Sequence, residues 1–136
     1  MIVPADVDLL MIRAVKGLFP DARVAADIPS NWDWSSPESQ LIVLTVVGGQ
    51  GIREYAFDDA RVTFEVYDTN VDEASTTTRH LYGHALADQL GGLYRGTVLR
   101  PVYHPYGGGA DNPALTPGYW FTVELTFRSE EITSGL

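Results

Sequence analysis

Two stretches of the 136-residue chain hold residues whose types and spacing could do chemistry. The first is Val46-Val47-Gly48-Gly49-Gln50-Gly51, where the most apolar run of the chain empties into glycines. Bare backbone amides after a strand can cradle a phosphate. Such a loop also needs a lysine followed by Ser or Thr, and a helix whose first amides face the anion. Here Ile52-Arg53-Glu54-Tyr55 follows, then Ala56-Phe57-Asp58-Asp59 and another strand-like run, and the G-x-G-x-x-G spacing is missing. The glycines therefore read as a flexible connection between two strands. The second stretch is His80-Leu81-Tyr82-Gly83-His84. Two histidines four apart on a helix can ligate one metal ion. Leu81 stands where a metalloprotease carries its general-base glutamate, which removes that chemistry. On a helical wheel His80 and His84 fall near Glu73, Thr77 and Asp88, away from the apolar stripe. An exposed polar face is the plainer reading, and Glu73 or Asp88 would have to complete any metal site.

Other chemistry finds less material. The chain has no cysteine, which removes disulfides, thiolate catalysis and thiolate-bound zinc and fits a cytoplasmic product. There is no G-x-S-x-G, and the paired acids Asp58-Asp59 and Glu130-Glu131 read as solvated surface, with Asp58 and Asp59 shaping a turn. No catalytic constellation and no cofactor is expected. The formal net charge is -9, from 18 acidic and 9 basic residues, and such a surface repels the phosphate backbone of DNA or RNA. No apolar run reaches bilayer length, and the first residues lack the pattern of a secretory signal.

The elements that must position these residues follow from periodicity. Asp6 to Leu18 reads as a helix with an apolar stripe of Leu9, Leu10, Ile12, Val15, Leu18 and Phe19, stopped by Gly17 and Pro20. Arg23 to Ile28 is a short strand, and Leu41 to Val47 an apolar one. Ala60 to Asp68 alternates, with Val62, Phe64 and Val66 on one face and Arg61, Thr63, Glu65 and Tyr67 on the other. A second helix spans about Asp72 to Leu90, with Ala74, Thr78, Leu81, Tyr82, Ala85, Leu86 and Leu93 gathering on one side by helical spacing. Thr97 to Tyr103 and Gly118 to Arg128 complete the strands, and the glycine- and proline-rich segment between them reads as irregular. The fold class expected is α+β. One domain over 1–136 would hold an antiparallel or mixed sheet of about four to five strands, with two helices on one face. A flexible loop over 104–117 and a frayed tail over 129–136 are expected as well. Trp32, Trp34, Tyr103 and Tyr106 lie in segments dense in turn formers, where such residues either anchor an interface or fold back over the sheet.

Taken in order, these elements resemble one family, the tail terminator or tail-completion proteins of long-tailed bacteriophages. The likeness runs from about Val7 to Arg128 and is carried by order and texture. A leading helix ends in GLFPDARV, the pair Ile28-Pro29 follows, and an apolar strand ends in Gly48-Gly49. A connection with Asp58-Asp59 then leads into RVTFEVYD, a helix carries Ala74, Ala85 and Leu86, and YWFTVELTFR closes the domain. The resemblance implies a non-enzymatic virion protein, made in the host cytoplasm. It would assemble into a ring, usually of six copies, that caps the tail tube, ends its polymerisation and joins the head. Its partners would be itself, the tube protein and a neck or head-completion protein. DNA would pass through an acidic lumen without specific binding, and no membrane is involved. Loop chemistry then nominates Trp32, Trp34, Gly48, Gly49, Arg53, Tyr55, Tyr103 and Tyr106 as interface residues. The alternatives are another neck component, such as a head-closure or connector protein, and a small metal- or ligand-binding domain built on His80 and His84.

Overall fold

The computed structural model describes residues 1–34, 37–53, 57–107 and 115–131. Seven strands and two helices follow in the order β1 (Ile2–Val3), α1 (Val7–Leu18), β2 (Arg23–Ala25), β3 (Leu41–Arg53), β4 (Phe57–Tyr67), α2 (Val71–Leu86), β5 (Leu93–Gly107), β6 (Leu115–Arg128) and β7 (Glu130–Glu131). Five of the strands form a mixed sheet in the order β2-β3-β4-β6-β5, in which only the short β2 runs parallel to its neighbour. The remaining two, β1 and β7, pair with each other. The fold is α+β, with both helices on one face of the sheet.

Each helix starts on a side-chain cap. Asp6 accepts a hydrogen bond from the Leu9 amide at 3.1 Å, and Asp8 adds a negative charge at the positive end of the dipole. At the other end the Lys16 ammonium donates to the carbonyls of Pro20 and Ala22 at 2.8 and 2.7 Å, tying the exit turn down. The buried edge of α1 is Val7, Met11 and Val15, at a spacing of four. This corrects the expected stripe: Leu9 and Leu18 are 41% and 37% exposed, whereas Met11 is fully buried. The contact with the sheet is narrower than the apolar stripe, so its flanking leucines fall outside it.

In α2 the Asn70 side chain caps the amides of Asp72 and Glu73. Its buried face is built of small residues, Ala74, Thr77, Thr78 and Ala85, around one large residue, Leu81. Small side chains let the helix axis approach the sheet, and Thr78 satisfies its buried hydroxyl on the Ala74 carbonyl at 2.7 Å. The helix stops at Leu86, four residues short of the expected end. Asp88 then takes a positive φ of 61°, and Leu90 turns back into the core. Between helices and sheet lie Phe64 and Phe121, stacked at 5.2 Å, with the Tyr82 ring edge-on to Phe121 at 5.3 Å. Burying each such ring is worth about 1.5–3 kcal/mol.

Three loop expectations are corrected. The glycine stretch is strand, since β3 continues through Gly48 and Gly49 to Arg53 and pairs with β4 as far as Arg53↔Phe57. It does so through two bulges, and glycine at φ 126° and 124° makes them sterically accessible. The segment expected as a flexible loop over 104–117 is strand up to Gly107 and again from Leu115, while 108–114 lie outside the described residues. The tail expected to fray from 129 instead pairs Glu130 and Glu131 with Val3 and Ile2, and 132–136 lie outside the described residues. Termini that meet in a ladder are held by its hydrogen bonds.

Candidate functional site

Strand parity decides what the second sheet face carries. The helix-facing set of β4 and β6 is Ala60, Val62, Phe64, Val66, Phe121, Val123, Leu125 and Phe127, all buried in the main core. The opposite set is Asp59, Arg61, Thr63, Glu65 and Tyr67 on β4, facing Thr126, Glu124, Thr122, Trp120 and Gly118 on β6. Neither helix covers that face.

One end of it is closed by the loop before β3. Ile28, Trp32 and Trp34 pack on Leu41, Val43 and Tyr67 in a second, smaller core. The Trp34 ring meets the Tyr67 ring edge-on at 5.1 Å, and the Tyr67 hydroxyl donates to the Glu65 carboxylate. Both tryptophans are half-buried, so they fold back over the sheet. Of the two readings of these aromatics, this is the internal one.

The rest of the face is a ladder of paired polar side chains. Thr63 and Thr122 share a hydrogen bond at 2.7 Å, and Arg61 bridges Glu124 at 2.7 Å. At the next position Asp59 accepts from the Thr126 hydroxyl at 2.6 Å and from Arg95 at 3.1 Å. Arg95 belongs to β5, which is two strands away from Asp59 on β4. It reaches across β6 because it is the extra residue of a bulge between Tyr94 and Gly96. Asp58 and Asp59 are thus in β4, at 8% and 6% exposure, rather than in a solvated turn. A buried carboxylate is costly unless charge-paired and hydrogen-bonded, and Asp59 is both. Gly49, Asp59, Ala60, Arg61, Arg95 and Glu124 line a recess of about 230 Å³. The Asp59–Arg95–Thr126 cluster had no sequence signal beyond the alternation of β4, because the bulge that brings Arg95 there is invisible in a residue pattern.

The other expected interface residues are scattered. Gly48 and Gly49 form the bulges beside this recess, and Arg53 lies opposite Phe57 in the ladder, at the same end of the sheet. Tyr55 lies outside the described residues. Tyr103 and Tyr106 sit on β5 in register with Tyr119 and Thr116, at the opposite end. Beyond the last β4 pair, Tyr67↔Gly118, β5 and β6 continue as a two-stranded arm through Pro105↔Pro117, Tyr106↔Thr116 and Gly107↔Leu115.

A second concavity, of about 530 Å³, lies where the end of α1 meets the start of α2. Leu18, Phe19 and Pro20 form its apolar part, and Asp21, Glu38, Asp68 and Glu73 contribute carboxylates. Thr77, expected on the polar side of α2, lines this groove with 8% exposure. The His84 ring stands edge-on to Phe19 at 5.9 Å, with Nδ1 2.6 Å from the Gln89 side-chain oxygen. His80 is exposed, and among the described residues no group of three His, Asp or Glu is placed to hold a metal. Among those residues, too, no helix is long and apolar enough to cross a membrane. Comparison with protein-family models finds no match for the chain, and a search of curated proteins finds none either.

Proposed function

We propose that this chain is a structural subunit that forms a ring, of six copies, on the end of a bacteriophage tail tube. There it stops tube growth and presents the surface to which the head attaches. In this reading it is not an enzyme and needs no cofactor. Its partners are other copies of itself, the tube protein and a neck protein, and it resides in the virion.

The observation that carries the reading is the one-sided sheet. Helices cover one face, while the other displays cross-strand pairs of Thr, Arg and Glu. Such a surface suits contact with another protein, where arginine and aromatic residues are favoured and water is shared at the rim. The β5–β6 arm adds a projecting element that can reach a neighbour. The net charge of -9 suits a channel through which DNA slides without adhering.

Electron microscopy of tails assembled without this protein tests the proposal. Overlong tubes lacking heads are expected, and tails of normal length that join heads would refute it. Finished tails beside heads that leak their DNA would point instead to a head-closure role.

A further inference from the structure

We infer that successive copies of this chain meet head to tail, the arginine-bearing end of the open sheet face seating on the acidic groove between α1 and α2 of the next copy. This inference rests on the ring reading and supplies its interface.

The two surfaces lie at opposite ends of β4. Asp59 and Arg61 are the third and fifth of its eleven residues, and Asp68 directly follows its last. At about 3.3 Å per residue, Asp59 lies about 30 Å and Arg61 about 23 Å along the strand from Asp68. Two different patches on one subunit make a heterologous contact, which closes into a ring when the rotation between copies closes.

The first patch offers guanidinium donors and the second offers carboxylate acceptors, although Asp59, Glu124 and Asp88 balance the charge of the three arginines. Three of the nine basic residues, Arg61, Arg95 and Arg128, lie at the first end, all exposed. Asp59 balances Arg95 from beneath, with its side chain only 7% exposed, so what faces outward there is guanidinium. Glu124 and Asp88 are the acidic groups that share this surface among the described residues. Arg61 and Arg95 each engage a carboxylate through one nitrogen, and a guanidinium carries five N–H donors. Each can therefore donate to a further carboxylate in the fork geometry that arginine favours. The groove supplies such carboxylates: Asp21, Glu38, Asp68 and Glu73 line it without a cation among the lining residues. Lys16 is tied to the backbone carbonyls of Pro20 and Ala22, and Arg23 on β2 shares a neighbouring recess with Glu38. Each patch also holds an exposed leucine, Leu93 at 56% and Leu18 at 37%, able to form the apolar centre of the contact.

The test uses two charge-reversed chains and light scattering coupled to size exclusion at high protein concentration and low salt. One chain carries Arg61→Glu and Arg128→Glu, and the other Glu38→Arg and Glu73→Arg; all four residues are exposed. Wild type is expected to assemble and to weaken as salt rises. Each reversed chain alone should associate at least about tenfold more weakly, because like charges now face each other. An equimolar mixture should assemble again, since alternating copies restore both contacts, and recovery also shows that the variants are folded. Wild-type-like assembly by either reversed chain, or failure of the mixture, overturns this interface while leaving a ring in place. A wild-type chain that stays monomeric under these conditions counts against the ring itself.

Discussion

Replacing Gly49 with alanine places a methyl group where the fold leaves no room. A Cβ at that position would stand 2.4 Å from the Asp59 carbonyl oxygen, 2.8 Å from the Ala60 Cα and 2.9 Å from the Arg61 nitrogen. All three are backbone atoms of the neighbouring strand, so no side-chain rotation relieves the contact. The position also has φ +124°, which costs any L side chain about 1–3 kcal/mol. Gly48 is the internal control, with φ +126° and nothing within 4 Å of where a Cβ would stand. Gly48→Ala thus reports conformational strain alone, about 1–3 kcal/mol. Gly49→Ala adds the forced separation of β3 from β4, about 2 kcal/mol more by analogy with overpacking. Urea unfolding followed by tryptophan fluorescence resolves the two. At a slope of about 2 kcal/mol per molar, the Gly49 variant should unfold about 1 M earlier than the Gly48 variant. Equal midpoints would refute the idea that close approach of two backbones, rather than chain flexibility, is why glycine stands at 49.

Four further outcomes are expected. Gly17→Ala, in the last turn of α1 with open space around it, should raise stability by up to about 0.8 kcal/mol in thermal or urea unfolding. Asp59→Ala leaves Arg95 and Thr126 without their acceptor and should cost about 3 kcal/mol, whereas Arg61→Ala, which opens an exposed pair, should cost less than about 1 kcal/mol. Trp34→Ala should cost about 2 kcal/mol and remove the near-ultraviolet circular dichroism arising from its contact with Tyr67. His84→Ala should cost about 1 kcal/mol through its lost contacts to Phe19 and Gln89, with added zinc leaving the melting temperature of wild type unchanged. A zinc-dependent rise abolished by His80→Ala would revive the metal-site reading.

Much of the scaffold is legible without coordinates. The strict alternation of β4 and β6 identifies the helix-facing set from Val62 to Phe127, and those side chains form the core. The caps at Asp6 and Asn70 sit where short polar residues precede helical spacing. Errors fall where a residue's usual habit opposes its tertiary setting. Glycine and proline usually mark loops, a habit that would end β3 at Val47 and β5 at Tyr103, yet both strands continue. Adjacent acids are usually solvated, yet Asp59 is buried because Arg95 and Thr126 compensate its charge.

Periodicity along the chain dictates which residues must leave water, because it records the face that each element presents. Composition excludes the chemistries that need a cysteine or a complete phosphate loop. Which neighbours those faces meet is settled in three dimensions alone. Bulges carry Arg95 across β6 and hold the glycines inside β3, and the loop before β3 folds Trp32 and Trp34 onto the second sheet face. These outcomes depend on strand order and register, and contacts between residues distant along the chain leave no periodic trace in it.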